Sequence, residues 1–233
     1  IRLAGFYERD GKVEQAEDAY KRAIQSAPSL AAGVALSLGN LQLRMRKLDD
    51  AEAHAQLAMA KTSAAGGAHL LLARIALARG NATEVEREAK LAAQEAGRRR
   101  EAGVVVAQAR AAQGRYAEAL QILDGLRSEA GAAPLLDLEA TRADALARMN
   151  RAAEAEQAFL AEIAAFPHNR DAYTKLAILY VTMDRVADAE RTLERMFVAN
   201  RSRSTAELAA ETWAAVENTR GAADWRRRAA QVR

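Results

Sequence analysis

Residues 171–197 read DAYTKLAILYVTMDRVADAERTLERMF, and their pattern decides the fold. Leu176, Ala177, Leu179 and Tyr180 recur at helical spacing. After Asp184 a second periodic stretch places Ala189, Leu193 and Met196 four and three residues apart, on one face of a helix. Asp is a residue type that tolerates the left-handed backbone ending a helix, so the stretch reads as helix, tight turn, helix.

The second half of that unit recurs along the chain. Ala16, Tyr20, Ala23; Ala51, Ala55, Ala58; Val85, Ala89, Ala92; Ala119, Leu123, Leu126; and Ala155, Phe159, Glu162 precede the Ala189 trio, and their first members stand 35, 34, 34, 36 and 34 residues apart. A weaker seventh copy is Trp225, Ala229 and Val232. Turn signals precede the trios at Gly11, Gly80, Gly114, Asn150, Asp184 and Gly221, while Arg46 breaks the pattern in the second copy. Pro28 and Pro167 stand just past second helices, where a fixed φ and a missing donor stop a helix. A fixed period of this length is the mark of a repeat architecture, in which no hairpin covers its own apolar stripe and stacked neighbours share one core.

Composition agrees. Of 233 residues, 59 are Ala and 3 are Pro, and aromatics make up 5%, a balance that favours helix over sheet. There is no cysteine, which excludes disulfide staples, thiolate catalysis and sulfur-ligated zinc. No apolar run approaches the ~18 residues of a membrane span, so no membrane insertion is expected. The net charge of +3 is spread along helices whose cations alternate with acids, as in Glu84, Glu86, Arg87, Glu88 and Lys90. Together with aromatics that sit in the core phase, this speaks against a nucleic-acid surface.

With the period established, the chain resembles the tetratricopeptide repeat family. Leu3, Ala4, Tyr7, Gly11, Ala16, Tyr20, Ala23 and Pro28 carry that family's pattern, as do Tyr173, Leu176, Ala177, Tyr180, Asp184, Ala189 and Leu193, with Pro167 closing the copy before. SLGN at Ser37–Asn40 and GRYAEAL at Gly114–Leu120 match as well; Glu162 departs, standing where a small residue is expected. The resemblance implies an all-α, right-handed superhelical solenoid of about six and a half helix-turn-helix units. Its repeats would span 1–30, 31–65, 66–99, 100–133, 134–169 and 170–203, with a capping hairpin over 204–233 that holds both tryptophans. The first unit begins inside its first helix. Its closing repeats are also similar to repeat tails of bacterial sulfatase-like multidomain proteins, which implies an alternative role as a C-terminal accessory region.

No phosphate loop, HExxH or calcium-loop run is present, and the three histidines His54, His69 and His168 lack a third ligand. A non-catalytic chain without metal or cofactor is expected. In this repeat family the first helices line a concave groove that holds a peptide or a partner helix. Stepping by the repeat gives a polar line, Asn40, Arg74, Gln108 and Asp144, flanked by Leu36, Leu70 and Val104 on one side and Leu43 and Leu77 on the other. Offsets of four and seven residues set the three lines on one helix face. The expected partner is a protein or peptide seated between apolar walls on a ladder of hydrogen-bonding groups. The family's carboxylate clamp for chaperone tails is not implied, because Leu36 stands where that clamp needs Lys.

Overall fold

The structure, a computed structural model, describes residues 2–9, 12–95, 97–129 and 133–232. They form fourteen α-helices and, among the described residues, no strand. Two compact units result, residues 1–129 and 130–233. The first holds four hairpins: α1 (Arg2–Arg9) with α2 (Val13–Ser26), α3 (Ala31–Arg44) with α4 (Leu48–Met59), α5 (Thr62–Ala78) with α6 (Ala82–Ala92), and α7 (Arg99–Ala112) with α8 (Tyr116–Arg127). The second holds three: α9 (Leu138–Arg148) with α10 (Ala152–Ala165), α11 (Arg170–Thr182) with α12 (Val186–Ala199), and α13 (Arg203–Ala215) with α14 (Thr219–Gln231).

One turn joins the helices within each of six hairpins. Arg46, Gly80, Gly114, Asn150, Asp184 and Glu217 all have positive φ, between 58° and 76°. The following amide in each case reaches back to a carbonyl five residues earlier, as Lys47 N–H does to Gln42 O at 2.9 Å and Arg185 N–H to Tyr180 O at 2.8 Å. That is the bond pattern by which a left-handed residue satisfies the last carbonyls of a helix. Arg46 therefore makes the same turn as its glycine counterparts. In the last hairpin the turn belongs to Glu217, not to Gly221, which lies inside α14 where an added β-carbon would fall 2.9 Å from the Trp213 ring. Gly11 lies outside the described residues.

Small residues set the helix spacing. Ala16, Ala51, Val85, Ala119, Ala155 and Ala189 are fully buried where second helices cross first helices. A β-carbon on Gly39 would fall 2.6 Å from Leu71 Cδ2 and 3.2 Å from the carbonyl oxygen of Ala51, so glycine there permits a close approach of α3 to α4 and α5. In the seventh hairpin the buried residues of α14 are Ala222, Trp225 and Ala229, three residues out of step with the trio expected from the sequence; Val232 is only partly covered. Trp225 meets the Phe197 ring edge-on at 5.6 Å, and the Arg228 guanidinium lies over both rings, at 4.2 and 4.6 Å.

Glu162, the departure from the small-residue pattern, is 1% exposed. Its carboxylate accepts from the backbone amides of Asp137 at 2.8 Å and Ala140 at 3.3 Å, and from Asn169 Nδ2 at 2.9 Å. The side chain from α10 thus caps the start of α9, where Asp137 sits at φ 66° without capping through its own side chain. Burial holds the Glu162 carboxyl above the usual carboxylate range, against the lowering pull of those donors.

Candidate functional site

In the first unit α3, α5 and α7 follow one another, each touching the next. The polar line lies along them half-buried. Asn40 Nδ2 donates to the carbonyl of Leu36, one turn back, at 2.7 Å, and Arg74 Nη1 donates to Asn40 Oδ1 at 3.4 Å. The ladder is therefore ordered within the protein: the amide of Asn40 is engaged, and its oxygen keeps one lone pair beyond the bond from Arg74. Gln108 is also half-buried and engaged in polar contacts.

The expected walls divide. Leu36, Leu43 and Leu77 are half-buried, as the side of a groove requires. Leu70 and Val104 are core residues, 2% and 4% exposed. Leu70 belongs to the buried cluster that includes Val85 and Ala89 of α6 and Ala102 and Val105 of α7, so at this register the side chain is taken into the core. In the second unit Asp144 pairs with Lys175 of α11, and Ile178, one turn beyond Thr174, keeps 37% of its surface.

At the N-terminal ends of α3 and α5 a cavity of about 260 Å³ opens beside Leu36. Gly33 and Gly67, 34 residues apart, create it. Nothing lies within 4 Å of where a β-carbon on Gly33 would stand, whereas one on Gly67 would fall 2.9 Å from Leu36 Cδ1. Leu30, 53% exposed, forms part of the rim, with Lys61 and Arg98. Lys61 Nζ donates to the carbonyl of Ser29, and Arg98 is paired with Glu95 and Glu101. The apolar lines did not reveal this cavity, because glycine carries no hydrophobic signal. The repeat of Gly33 at Gly67, one turn before Leu36 and Leu70, is the trace it leaves in the sequence.

The histidines are occupied singly. His69 Nδ1 lies 2.7 Å from Glu88 Oε2, His54 Nδ1 2.8 Å from the carbonyl oxygen of Asp50, and His168 Nδ1 3.1 Å from Asn200 Oδ1. Two runs of three arginines occur, Arg98–Arg100 and Arg226–Arg228; Arg99 and Arg100 face Glu129, Arg227 pairs with Asp224, and Arg228 with Glu194. Among the described residues no helix is long and apolar enough to cross a membrane.

No protein-family model and no curated protein matches this sequence. Solved structures do. The chain is similar to a tetratricopeptide repeat protein of Parabacteroides merdae, with 19% identity, 100% of this chain and 91% of that one covered, and a TM-score of 0.56. It is similar to a thermophilic TPR protein of Thermus thermophilus, with 17% identity over 78% of this chain and 97% of that one and a TM-score of 0.64. A third likeness is to the APC/C hetero-tetramer Cut9-Hcn1, with 14% identity, 97% of this chain and 48% of that one covered, and a TM-score of 0.63. The fold is that of the tetratricopeptide repeat.

Proposed function

We propose that the chain is a non-catalytic interaction scaffold, and that α3, α5 and α7 hold an extended peptide or partner helix of another protein. The observation that carries this reading is the 260 Å³ cavity beside Leu36, because it adjoins a polar ladder whose groups are already ordered. An apolar side chain of the ligand enters between Gly33 and Gly67, and the ligand's backbone meets Asn40 and Gln108. Preordered groups lose little freedom on binding, which favours affinity. Concave sites with apolar walls and a few fixed polar groups are the usual form of a binding pocket. Similarity to a fold found in a protein assembly, Cut9-Hcn1, supports an interaction role.

The test begins with peptides selected from a random display library on the full chain. Gly33→Phe fills the cavity from a helix position with no neighbour within 4 Å, so the melting curve should stay in place. Affinity should fall by about tenfold or more, as it does when an anchor side chain loses its pocket. Peptides that bind Gly33→Phe and the Asn40→Ala, Arg74→Ala, Gln108→Ala triple variant as tightly as the unaltered chain would refute the groove.

A further inference from the structure

The cavity beside Leu36 is charged as well as apolar, and the charge that lines it has one sign. Lys61 and Arg98 stand in its wall, and among the described residues no acidic side chain does. Lys61 directly precedes α5. Its ammonium donates one hydrogen to the carbonyl of Ser29, in the turn that leads into α3, and keeps two for a further acceptor. No carboxylate among the described residues pairs with it.

Arg98 is aimed by two acids. Its Nη1 donates to both carboxylate oxygens of Glu101 at 3.1 Å, and its Nε lies 3.6 Å from Glu95 Oε1. Glu95 reaches that place because Gly66 has no side chain: a β-carbon there would fall 2.0 Å from Glu95 Oε2. Gly67 leaves its own space open instead. A β-carbon on it would fall 2.9 Å from Leu36 Cδ1 and 3.7 Å from Arg98 Nη2, so both groups border the cavity. That Nη2 edge donates to no acceptor among the described residues. One glycine thus admits the acid that helps fix the guanidinium, and the next gives the remaining edge access to a ligand. Glu95 and Glu101 offset the charge of Arg98 from its Nε and Nη1 edges; Lys61 has no such counter-charge.

We propose that the ligand of this groove is an acidic segment of another protein: the apolar side chain that enters between Gly33 and Gly67 is flanked in its own chain by Asp or Glu, one received by Lys61 and one by Nη2 of Arg98. This rests on the peptide-groove reading above and adds the ligand's charge to it. At about 260 Å³ the cavity is smaller than the ~300–1,000 Å³ of pockets that enclose a small molecule whole, so it takes one side chain and leaves that residue's neighbours at the rim. Lys61 and Gly67 are six residues apart, ~9 Å along the α5 axis. Residues on either side of an anchor in an extended chain are ~7 Å apart, and acidic side chains span the difference. Hydrogen bonds from ammonium and guanidinium to carboxylate are stronger than those between neutral groups, so the rim selects acidic neighbours over amides of the same shape.

The test pans two random peptide libraries on the full chain, one displayed with both peptide ends joined to carrier sequence and one with a free C-terminus. Among internal peptides that Gly33→Phe releases, Asp and Glu should be enriched severalfold beside the apolar anchor. The most enriched sequence, made with both ends capped and labelled, is then titrated by fluorescence anisotropy. Lys61→Glu and, independently, Lys61→Gln should weaken it severalfold, as should Glu-to-Gln exchange in the peptide, and affinity should fall with added salt. Panning on Arg98→Gln should lose the acidic preference on one flank only, with circular dichroism melting as the check that this variant folds. Peptides that Gly33→Phe releases but that show no acidic enrichment, or whose affinity ignores both Lys61 variants, would overturn this inference and leave the groove standing. No captured peptide, or peptides indifferent to Gly33→Phe, would overturn both. Capture confined to the free C-terminus library would overturn the inference as well, because the carboxylate recognised would then be a chain end.

Discussion

Replacing Glu162 by Ala installs the small residue that the other copies favour at this register, yet the structure requires the opposite of a gain. The carboxylate receives two backbone amides at the start of α9 and the amide of Asn169. Loss of a helix N-cap costs ~0.5–2 kcal/mol, and a buried donor left without a partner ~1–3 kcal/mol. Some of that is returned because a desolvated carboxylate is no longer held in the interior, so a net loss of about 2–3 kcal/mol is expected. The pH dependence supplies an independent check. Glu162 has a folded-state pKa raised above its ordinary value by burial. The folded chain therefore binds this proton more tightly than the unfolded one, and the group's contribution to stability rises as the pH falls through its folded pKa toward the unfolded value. Relative to Glu162→Gln, which cannot titrate, the unaltered protein should gain stability between neutral pH and pH ~4.5. Urea melts of the three proteins at several pH values measure both effects. A Glu162→Ala variant as stable as the parent would refute the capping role, and a parent-minus-Gln difference flat with pH would refute the upward shift that burial causes.

Arg46 and Glu217 hold left-handed turns that cost a side-chain-bearing residue ~1–2 kcal/mol, so Arg46→Gly and Glu217→Gly should each raise the melting midpoint, while Gly80→Ala should lower it. Gly221→Ala brings a β-carbon to 2.9 Å from the Trp213 ring and should destabilise the last hairpin by ~1–3 kcal/mol, visible as a tryptophan fluorescence change at lower denaturant. Bulky Phe at Ala119 or Ala189, both fully buried, should cost a similar ~1–3 kcal/mol in thermal melts. Lys47 and then Lys21 hold the Glu17 carboxyl down to about 2. Its stabilisation is complete above the unfolded value and is lost as pH falls from ~4.5 through about 2; Lys47→Met should move its NMR titration upward.

Helix positions and pairing were legible because burial follows the 3.6-residue period, and small residues every 34 to 36 positions mark where helices cross. Turn residues were less so. Glycine advertises a left-handed backbone, but Arg46 and Glu217 adopt it because the amide after each closes onto a carbonyl five residues back. Gly221 serves ring contact instead. The candidate groove was legible as a helix face, not as a depth: Leu36 and Leu70 share a register, yet Leu70 is buried in the core while two glycines open space beside Leu36. Glu162 was visible only as an exception, since its role depends on amides about 25 residues earlier in the chain.

In each unit, helices touch only the next one or two along the chain. Chain segments thus meet partners that are never far away in sequence, so little loop-closure entropy opposes the first native contacts, and relative contact order is low. Folding should be rapid, nucleate in more than one place and spread by neighbour-to-neighbour docking. The same locality lets one hairpin open without breaking any contact between hairpins that do not touch it. Amide exchange should then report openings that differ from hairpin to hairpin rather than one global opening.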